Sequence, residues 1–379
     1  MATDRFRVAI IGGGLAGATL ANALLRLLQL DVHIFESAAK FSERGAAILS
    51  TGTPADLLKS AGAVRTNTSR ILLGSGSEVK SVIMDLAEID PGYTVARESL
   101  LRELLAPLPE SSLHANKRLD AIKTGAKGVE LSFKDGSVDL FDAVIGADGI
   151  FGSVRTHVLG DQAADVVTLA QAEESLTDEY FKTHRQWAWV GQGAFIMHDP
   201  LDNGTKVQCV VSAVEKDPGT DPKDRKRPLT REVLKETLKE WPDSPIAKGM
   251  IDLMLLDHED PATYSQWEHK ATPTYAKQRV CIIGDAAHAT TPWQGAGVGL
   301  AFEDAVVLAA LLEKVRRPRC QDIIDSSRGT GLILCGQSGL EVDKLKGLLA
   351  PRWSTLYGLD LGGHKKEALE KMRELQGKN

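Results

Sequence analysis

A run of glycines between an apolar strand and an apolar helix constrains this 379-residue chain more than any other feature. The segment FRVAII has the apolar, β-branched character of a buried strand, and LAGATLANALLRLL has helical apolar spacing. Between and within them stand Gly12, Gly14 and Gly17 as G-x-G-x-x-G. The first glycine permits a tight turn, the second lets a ligand approach the backbone, and the third lets helix and strand pack closely. The pattern predicts a Rossmann-like α/β unit with a parallel sheet.

An acidic residue stands where such a unit meets an adenosine ribose. Glu36 closes the next β-branched run, DVHIFES, about twenty residues beyond Gly17. A carboxylate at this position accepts hydrogen bonds from ribose hydroxyls, while the N–H groups at the start of the helix attract a pyrophosphate. We interpret the unit as a dinucleotide site, and these residues alone do not distinguish NAD from FAD.

Composition excludes several other classes of protein. The net charge of -6 argues against a nucleic-acid partner, and no uncharged apolar run reaches the roughly 20 residues that span a bilayer. The cysteines show no C-x-x-C and no zinc-ligand spacing, so we expect no metal site and a reducing compartment; they are Cys209, Cys281, Cys320 and Cys335. The sequence therefore predicts a cytoplasmic protein without a membrane partner.

Two hairpins are predicted from turn residues between apolar runs. GVELSF and VDLFDAVIGADG flank Asp135-Gly136, a favoured two-residue turn. Further on, QWAWVGQGAFIMHDP and KVQCVVSAVE flank Asn203-Gly204. Alternation in the second pair predicts an antiparallel sheet with one solvated face. After it, VCIIGDAAHATTPWQGAGVGLAFEDAVVLAALL returns to strand-then-helix character, so the first domain is expected to be assembled from separated segments.

Three motifs together carry a family resemblance. IIGGGLAG, AVIGADGIFGSVR and GDAAHATTPWQGAGVGL, in this order, resemble the three fingerprints of the class A flavoprotein monooxygenases. This group includes salicylate hydroxylase and p-hydroxybenzoate hydroxylase, and the chain is most similar to the fungal salicylate-hydroxylase-like enzymes over most of its length. The resemblance implies a Rossmann-like FAD-binding domain, a substrate domain with an antiparallel β-sheet, and C-terminal helices.

We assign segments to these domains as follows. The FAD-binding domain takes residues 1–75, 95–160 and 275–315, and the substrate-binding domain takes 76–94 and 161–274. Residues 316–379 form the C-terminal helical segment.

The resemblance also implies which residues hold a non-covalent FAD. Asp285 corresponds to the aspartate that hydrogen-bonds the ribityl chain, and a helix N-terminus behind it faces the N1–C2=O edge of the flavin. Asp148 belongs to a motif shared by FAD and NAD(P)H, and Arg97 matches an arginine on the helix that covers the flavin. Further backbone contacts are expected from Gly45, Ala46, Gly295, Gly297 and Val298. Simpler interpretations stay open: Asp285 as a helix N-cap, Asp148 in a plain Asp-Gly turn, and Arg97 on a surface helix.

The implied activity is that of an oxidoreductase. It would use NADH or NADPH and O2 to hydroxylate a phenolic or salicylate-like aromatic substrate through a flavin C4a-hydroperoxide. Homodimers are common in the family. The alternatives are another flavoenzyme, such as an oxidase, an epoxidase or a halogenase, or a non-catalytic flavin-binding module. WAWVGQ has the W-x-W of halogenases without their Ile-Pro, and the segment after the cofactor helix is shorter than the family pattern.

Several side chains are predicted to border the substrate, with packing in the sheet core as the alternative interpretation. These are Trp187, Trp189, Phe195, Met197 and His198. His198 is a candidate for deprotonating a phenol, because the pKa of histidine is ordinarily near neutral. Trp293 is a second candidate, expected to narrow the ring site and influence specificity. His288, part of the third fingerprint, is interpreted as structural.

Overall fold

A computed structural model describes residues 5–25, 27–42, 48–50, 55–65, 69–86, 93–164, 166–173, 185–201, 206–214, 226–255, 261–306 and 317–357, with a few positions beyond 357. The strands in these ranges are β1 Phe6–Ile11, β2 Leu30–Phe35, β3 Ile48–Ser50, β4 Val64–Arg65, β5 Ser69–Leu73, β6 Val82–Asp85, β7 Tyr93–Val95, β8 Leu113–His114, β9 Leu119–Gly125, β10 Gly128–Phe133, β11 Val138–Phe141, β12 Ala143–Gly146, β13 Val166–Glu173, β14 Gln186–Gly191, β15 Ala194–Leu201, β16 Lys206–Ala213, β17 Lys226–Pro228, β18 Ala262–His269, β19 Ala276–Lys277 and β20 Val280–Ile282. The helices are α1 Leu15–Leu24, α2 Ala55–Ser60, α3 Arg97–Leu105, α4 Ser153–Leu159, α5 Arg231–Thr237, α6 Ala247–Leu253, α7 Asp285–His288, α8 Gly297–Val306, α9 Arg317–Leu334 and α10 Val342–Tyr357.

The first sheet is parallel at its centre and confirms the predicted Rossmann-like unit. Its strand order is β19-β20-β12-β1-β2-β8, with β1 parallel to both β12 and β2. Gly146 lies beside Ile11 and also beside Ile282, so β1, β12 and β20 end at the same edge. The three glycine-containing motifs follow these three strand ends and therefore meet. Parallel sheets commonly bind ligands at this carboxyl edge.

The second sheet has eight strands, in the order β17-β18-β13-β16-β15-β14-β5-β6. One part of the sequence prediction was wrong here, because QWAWVGQGAFIMHDP forms two strands. The turn at Gln192-Gly193 separates β14 from β15, with Gly193 at a φ of 75°. The antiparallel pairing of β15 with β16 is confirmed, and the predicted turn at Asn203-Gly204 lies outside the described residues.

Strand β5 shifts one predicted boundary. We assigned residues up to 75 to the FAD-binding domain, but β5 pairs with β14 and β6 in the second sheet. Its pairing with β14 is parallel and joins residues more than a hundred positions apart, so neither alternation nor turn residues indicated it.

Both faces of the second sheet are covered, which corrects the prediction of one solvated face. Helices α5 and α6 pack on one face around Trp189 and Trp241. Helices α9 and α10 and the ring of Trp293 pack on part of the other face, and a cavity borders the rest of it. These two long helices confirm the predicted C-terminal helices.

The hairpin turn at Asp135-Gly136 is confirmed, but the run predicted as its second strand divides into β11, which pairs in the hairpin, and β12, which belongs to the first sheet. Gly136 has a φ of 83°, a conformation that favours glycine, and β10 pairs antiparallel with β11. No helix in the described part of the chain combines the length and apolarity needed to cross a bilayer.

Candidate cofactor and substrate site

A cavity of about 880 Å³ lies between the carboxyl edge of the parallel sheet and the second sheet. Its lining includes most of the residues that the sequence assigned to a cofactor. These are Gly12, Gly14, Glu36, Arg97, Asp148, Asp285, Gly295, Gly297 and Val298. Gly45 and Ala46 lie outside the described residues.

The first glycine motif places the N-terminus of α1 against this cavity. Gly12 has a φ of 110°, and a Cβ there would stand 2.2 Å from the carbonyl oxygen of Ala147. A Cβ on Gly17 would stand 2.1 Å from the carbonyl oxygen of Gly12, so Gly17 serves helix–strand packing and does not line the cavity. Gly14, the N-cap of α1, does line it. The α1 N–H groups thus face a space open to an anion.

Glu36 has a second role that the sequence did not reveal. Its Oε2 accepts a hydrogen bond from the backbone N–H of Gly13 at 2.9 Å, and its Oε1 accepts one from Ala38 at 2.8 Å. The carboxylate therefore holds the glycine loop in place while it borders the cavity. Oε1 also accepts a hydrogen bond from Ser37 Oγ at 3.1 Å, which leaves a lone pair of Oε2 available to a ribose hydroxyl.

Asp148 organises the second motif. Its Oδ2 accepts a hydrogen bond from the N–H of Val154 at 3.0 Å, in the first turn of α4. Loss of hydration raises the pKa of Asp148 to about 6. Its Oδ1 is buried with no hydrogen-bond partner among the described residues, although Asp148 lines the cavity. A ligand with a donor group would satisfy this oxygen.

The third motif contributes a carboxylate and a second helix N-terminus. Asp285 is exposed to the cavity directly after Gly284, whose φ is 56°. Gly295, at a φ of 64°, ends a short 3-10 turn, and α8 begins at Gly297. A Cβ on Gly297 would meet only Asp285 Oδ1, at 3.9 Å. The start of α8 therefore presents backbone to the cavity with room for a ligand against it.

His288 points away from the cavity, into a buried ion pair. It donates from Nε2 to Asp304 Oδ2 at 2.6 Å, and the same oxygen accepts a hydrogen bond from the N–H of Gly284 at 2.9 Å. Burial alone would lower the pKa of His288, but the Asp304 carboxylate raises it well above its usual value. Cys320 completes a buried group whose ligand atoms lie within 4.8 Å of one another. With the histidine nitrogen directly on the carboxylate, we interpret this group as the support of the Gly284 turn.

The second sheet places the predicted substrate residues on two different faces. Phe195 and Met197 line the cavity, as alternation along β15 requires. Trp187, Trp189 and His198 lie on the opposite face, which packs against α5 and α6. The expectation that all five border the substrate was therefore wrong for these three.

His198 is consequently placed as a core residue. It is fully buried, and its Nε2 accepts a hydrogen bond from Trp189 Nε1 at 3.3 Å. Burial lowers the pKa of His198 to about 3. It does not line the cavity, so it is not placed to deprotonate a substrate there.

Trp293 does face the cavity and packs edge to face on Phe195, with ring centroids 5.6 Å apart. Gly331 of α9 makes room for it, since a Cβ there would stand 2.3 Å from Trp293 Nε1. Gly331 thus lies within a helix beside this indole, whereas Gly329 of the same helix lies beside the guanidinium of Arg352.

Comparison with known proteins decides the family. A model of the FAD binding domain matches residues 5–328. A 6-methylsalicylate 1-monooxygenase of Aspergillus terreus is 30% identical, with 97% of this chain and 92% of that protein covered. An FAD-dependent monooxygenase of a Phoma species is 33% identical over 82% of this chain and 76% of that protein.

This chain is a flavoprotein monooxygenase of the FAD-binding-domain family.

A solved salicylate hydroxylase, in complex with its substrate, has the same fold. The TM-score is 0.81 at 22% identity, and 96% of this chain and 98% of that chain are covered. The shared fold includes the second sheet and the C-terminal helices.

The monooxygenase cavity fits FAD by its own chemistry. It offers the N-termini of α1 and α8 to anionic groups, with Glu36 and Asp285 as acceptors for hydroxyls. The buried Oδ1 of Asp148 lacks a hydrogen-bond donor among the described residues. FAD carries all three kinds of group, in its pyrophosphate, its ribose and ribityl hydroxyls and its amide edge.

Sequence reasoning missed some residues of the monooxygenase cavity. Leu334 and Trp353 reach it from α9 and α10, and Gln186 and Asp199 reach it from β14 and β15. No sequence pattern in these two helices indicates that they pack against the site. If the alternation of Phe195 and Met197 along the strand had been extended by two more residues, it would have indicated Asp199 as a further residue of the cavity.

Proposed function

We propose that this monooxygenase binds FAD without a covalent bond, takes a hydride from NADH or NADPH, and uses O2 to hydroxylate a phenolic or salicylate-like aromatic ring. One observation carries the proposal: a single cavity is bordered both by two helix N-termini and by the aromatic rings of Phe195 and Trp293. The names of the relatives, a 6-methylsalicylate monooxygenase and a salicylate hydroxylase, support the class of substrate.

Bound FAD supplies the hydride-accepting and oxygen-activating chemistry. The protein contributes electrostatics at the start of α8, where about half a positive charge and unpaired N–H donors favour a negatively charged ligand edge. Because Gly295 and Gly297 carry no side chain, that edge can lie directly against the backbone.

The other walls position the ring and exclude water. Phe195, Trp293, Leu334 and Trp353 provide apolar surface in the cavity. A dry site limits the loss of activated oxygen to solvent. No histidine lines the cavity among the described residues, so we expect the phenol proton to leave by way of another polar group or water.

The test follows NADH and NADPH oxidation by the FAD-loaded protein with and without a panel of phenols and salicylates. We expect at least one ring to stimulate oxidation and yield a product heavier by one oxygen atom. Tight FAD binding without stimulation by any ring of the panel would contradict hydroxylation and favour a non-catalytic flavin module. A chloride-dependent product would instead indicate a halogenase.

Asp285 supplies a variant for the same assay. Asp285→Asn should weaken FAD binding because a ribityl hydroxyl loses an ionised acceptor. Asp243→Asn, at an exposed position outside the cavity, makes the same change of charge and should leave FAD binding unaltered. Equal FAD affinity in the two variants would contradict the role of Asp285.

We also propose a reducing compartment such as the cytosol, because the four cysteines are buried free thiols. Fractionation of cells that express the protein would check this. A homodimer stays a prediction from the family resemblance, to be measured by the mass of the protein in solution.

A further inference from the structure

Trp293 is held from two directions at the border of the cavity. Its indole packs edge to face on Phe195 of β15, and its pyrrole edge lies against α9, where a Cβ on Gly331 would overlap the Nε1, Cε2 and Cδ1 atoms. The residue also lines the cavity, and 9% of its surface is exposed. Because an indole packed between a strand and a helix cannot turn aside freely, a ligand has to fit the space that it leaves.

The fold accepts two unfavourable features to hold this indole. Trp293 Nε1 is buried without a hydrogen-bond acceptor in the described part of the chain, and a buried N–H that lacks a partner lowers stability. Gly331 lies in the interior of α9, where glycine stabilises a helix less than alanine does. Local costs of this kind are typical of functional sites, so we interpret the indole as serving the cavity rather than the stability of the fold.

The side chains that pack around Trp293 are apolar. Phe195 and Met197 of β15 belong to the same cluster as Leu334 of α9 and Trp353 of α10, and each of them lines the cavity. Apolar walls suit an aromatic ring, whereas the phosphates and hydroxyls of FAD suit the helix N-termini and carboxylates of the glycine motifs. Trp293 therefore borders a part of the cavity that is suited to the ring of a substrate.

FAD and the substrate ring have to share one cavity of about 880 Å³. FAD is much larger than a single aromatic ring, and its expected partners, from Glu36 to Val298, line this same cavity. The space that remains for a substrate is therefore small. Tryptophan, the largest side chain, stands at its border.

We propose that Trp293 is a specificity-determining residue that limits the substrate to a single aromatic ring, because the indole occupies the space that a second, fused ring would need. The inference rests on the proposed function and deepens it by setting the size of the ring. A fused ring would have to displace the indole toward Phe195 or α9, and both are already in contact with it.

A pair of matched ligands tests this limit. Salicylate and 1-hydroxy-2-naphthoate carry the same adjacent hydroxyl and carboxylate, and they differ by one fused ring. Their dissociation constants are measured without nicotinamide, by the change that each ligand causes in the visible absorbance of the FAD-loaded protein. The added ring brings apolar surface that would by itself tighten binding. We nevertheless expect the naphthoate to bind at least about tenfold more weakly than salicylate.

Two variants of Trp293 should relax the limit. Trp293→Ala removes the indole, and we expect it to tighten binding of the naphthoate at least about tenfold while salicylate binding changes less. Trp293→Phe keeps a ring beside Phe195 and is less disruptive to folding. It should shift the ratio of the two dissociation constants in the same direction by a smaller factor.

Trp241→Phe is the matched control. Trp241 is buried outside the cavity, and its Nε1 donates a hydrogen bond to the carbonyl oxygen of Gln192 at 3.1 Å. Its replacement should lower the midpoint of urea unfolding and keep the wild-type ratio of dissociation constants. Trp293→Phe should change the ratio but lower the midpoint less, because it removes an N–H that has no acceptor among the described residues.

Three results on FAD-loaded protein would overturn the inference. The first is a wild-type protein that binds the naphthoate as tightly as salicylate, the second is a ratio that neither Trp293 variant changes, and the third is a wild-type protein that binds neither ligand. Each leaves the proposed function standing, since hydroxylation is tested separately on a wider panel of rings. A protein that takes up no FAD contradicts the proposed function itself and this inference with it.

Discussion

The guanidinium of Arg155 donates a hydrogen bond from Nη1 to the carbonyl oxygen of Ala286 at 2.9 Å. Arg155 is 1% exposed and also donates to Thr272 Oγ1 at 3.2 Å. It ends the second fingerprint, and Ala286 follows directly after Asp285 in the third. A buried cation thus joins two motifs that are far apart in the sequence, and it holds the turn that presents Asp285 to the cofactor site.

Arg155→Lys should therefore affect both folding and FAD binding. Lysine lacks the planar fork that reaches several acceptors at once, so buried carbonyls lose partners. We expect a loss of about 2 to 4 kcal/mol in the free energy of unfolding and roughly tenfold weaker FAD binding. Denaturant unfolding and flavin fluorescence titration measure the two effects. Arg279→Lys, on an exposed arginine that binds the Asp142 carbonyl, is the control, and an equal FAD affinity in both variants would refute this role of Arg155.

Gly331 and Gly347 form a matched pair in the C-terminal helices. A Cβ on Gly331 would overlap the buried Trp293 ring, whereas a Cβ on Gly347 of α10 would meet nothing within 4 Å. Gly331→Ala should cost about 1 to 3 kcal/mol through overpacking, and Gly347→Ala should stabilise α10 by about 0.5 to 1 kcal/mol. Thermal unfolding measures both. A stabilising Gly331→Ala would show that the indole is not held against α9.

Stability should fall in mild acid because His198 and His269 are buried in neutral form. Burial lowers the pKa of each to about 3, while the unfolded chain titrates near 6.5. Below pH 6.5 the unfolded state binds more protons, so each histidine removes about 1.4 kcal/mol of stability per pH unit. His198→Gln keeps an acceptor for Trp189 and should flatten the decline between pH 6.5 and 5. Urea unfolding at both pH values measures this, and an unchanged slope would contradict it.

The ion pair of His288 and Asp304 should make stability depend on pH in the opposite direction. The raised pKa of His288 gives a contribution to stability that is fully present below pH 6.5 and is lost as pH rises through the folded-state pKa. Asp304→Asn leaves a buried histidine without its counter-charge and should cost about 3 to 5 kcal/mol near neutral pH.

Asp252→Asn is the matched control for Asp304→Asn. Asp252 forms an exposed pair with Arg231, and its loss should cost little stability because solvent screens such a pair. Denaturant unfolding compares the two variants. Equal losses would mean that the buried pair does not support the Gly284 turn.

Local patterns in the sequence were sufficient for the parallel sheet and its three motifs. A strand followed by Gly12, Gly14 and Gly17 specifies a turn into a helix, and Asp135-Gly136 specifies a hairpin, because each depends on neighbouring residues alone. The fingerprints then placed Glu36, Asp148 and Asp285 at one strand edge, where the structure brings them together.

The second sheet was harder to predict because its arrangement depends on distant pairings. The parallel pairing of β5 with β14 produces no local sequence pattern near either strand. Aromatic content suggested that Trp187 and Trp189 border the substrate, but α5 and α6 cover that face. Leu334 and Trp353 enter the site only through the packing of α9 and α10, which tertiary contacts decide.

The most direct test of the proposed hydroxylation is the fate of isotopically heavy O2 in a reaction with NADH or NADPH and a phenol that stimulates its oxidation. Mass spectrometry should find one heavy oxygen atom in each product molecule, formed as the nicotinamide is consumed. A product without heavy oxygen, or nicotinamide oxidation that yields only hydrogen peroxide, would contradict the assignment of this cavity to aromatic hydroxylation.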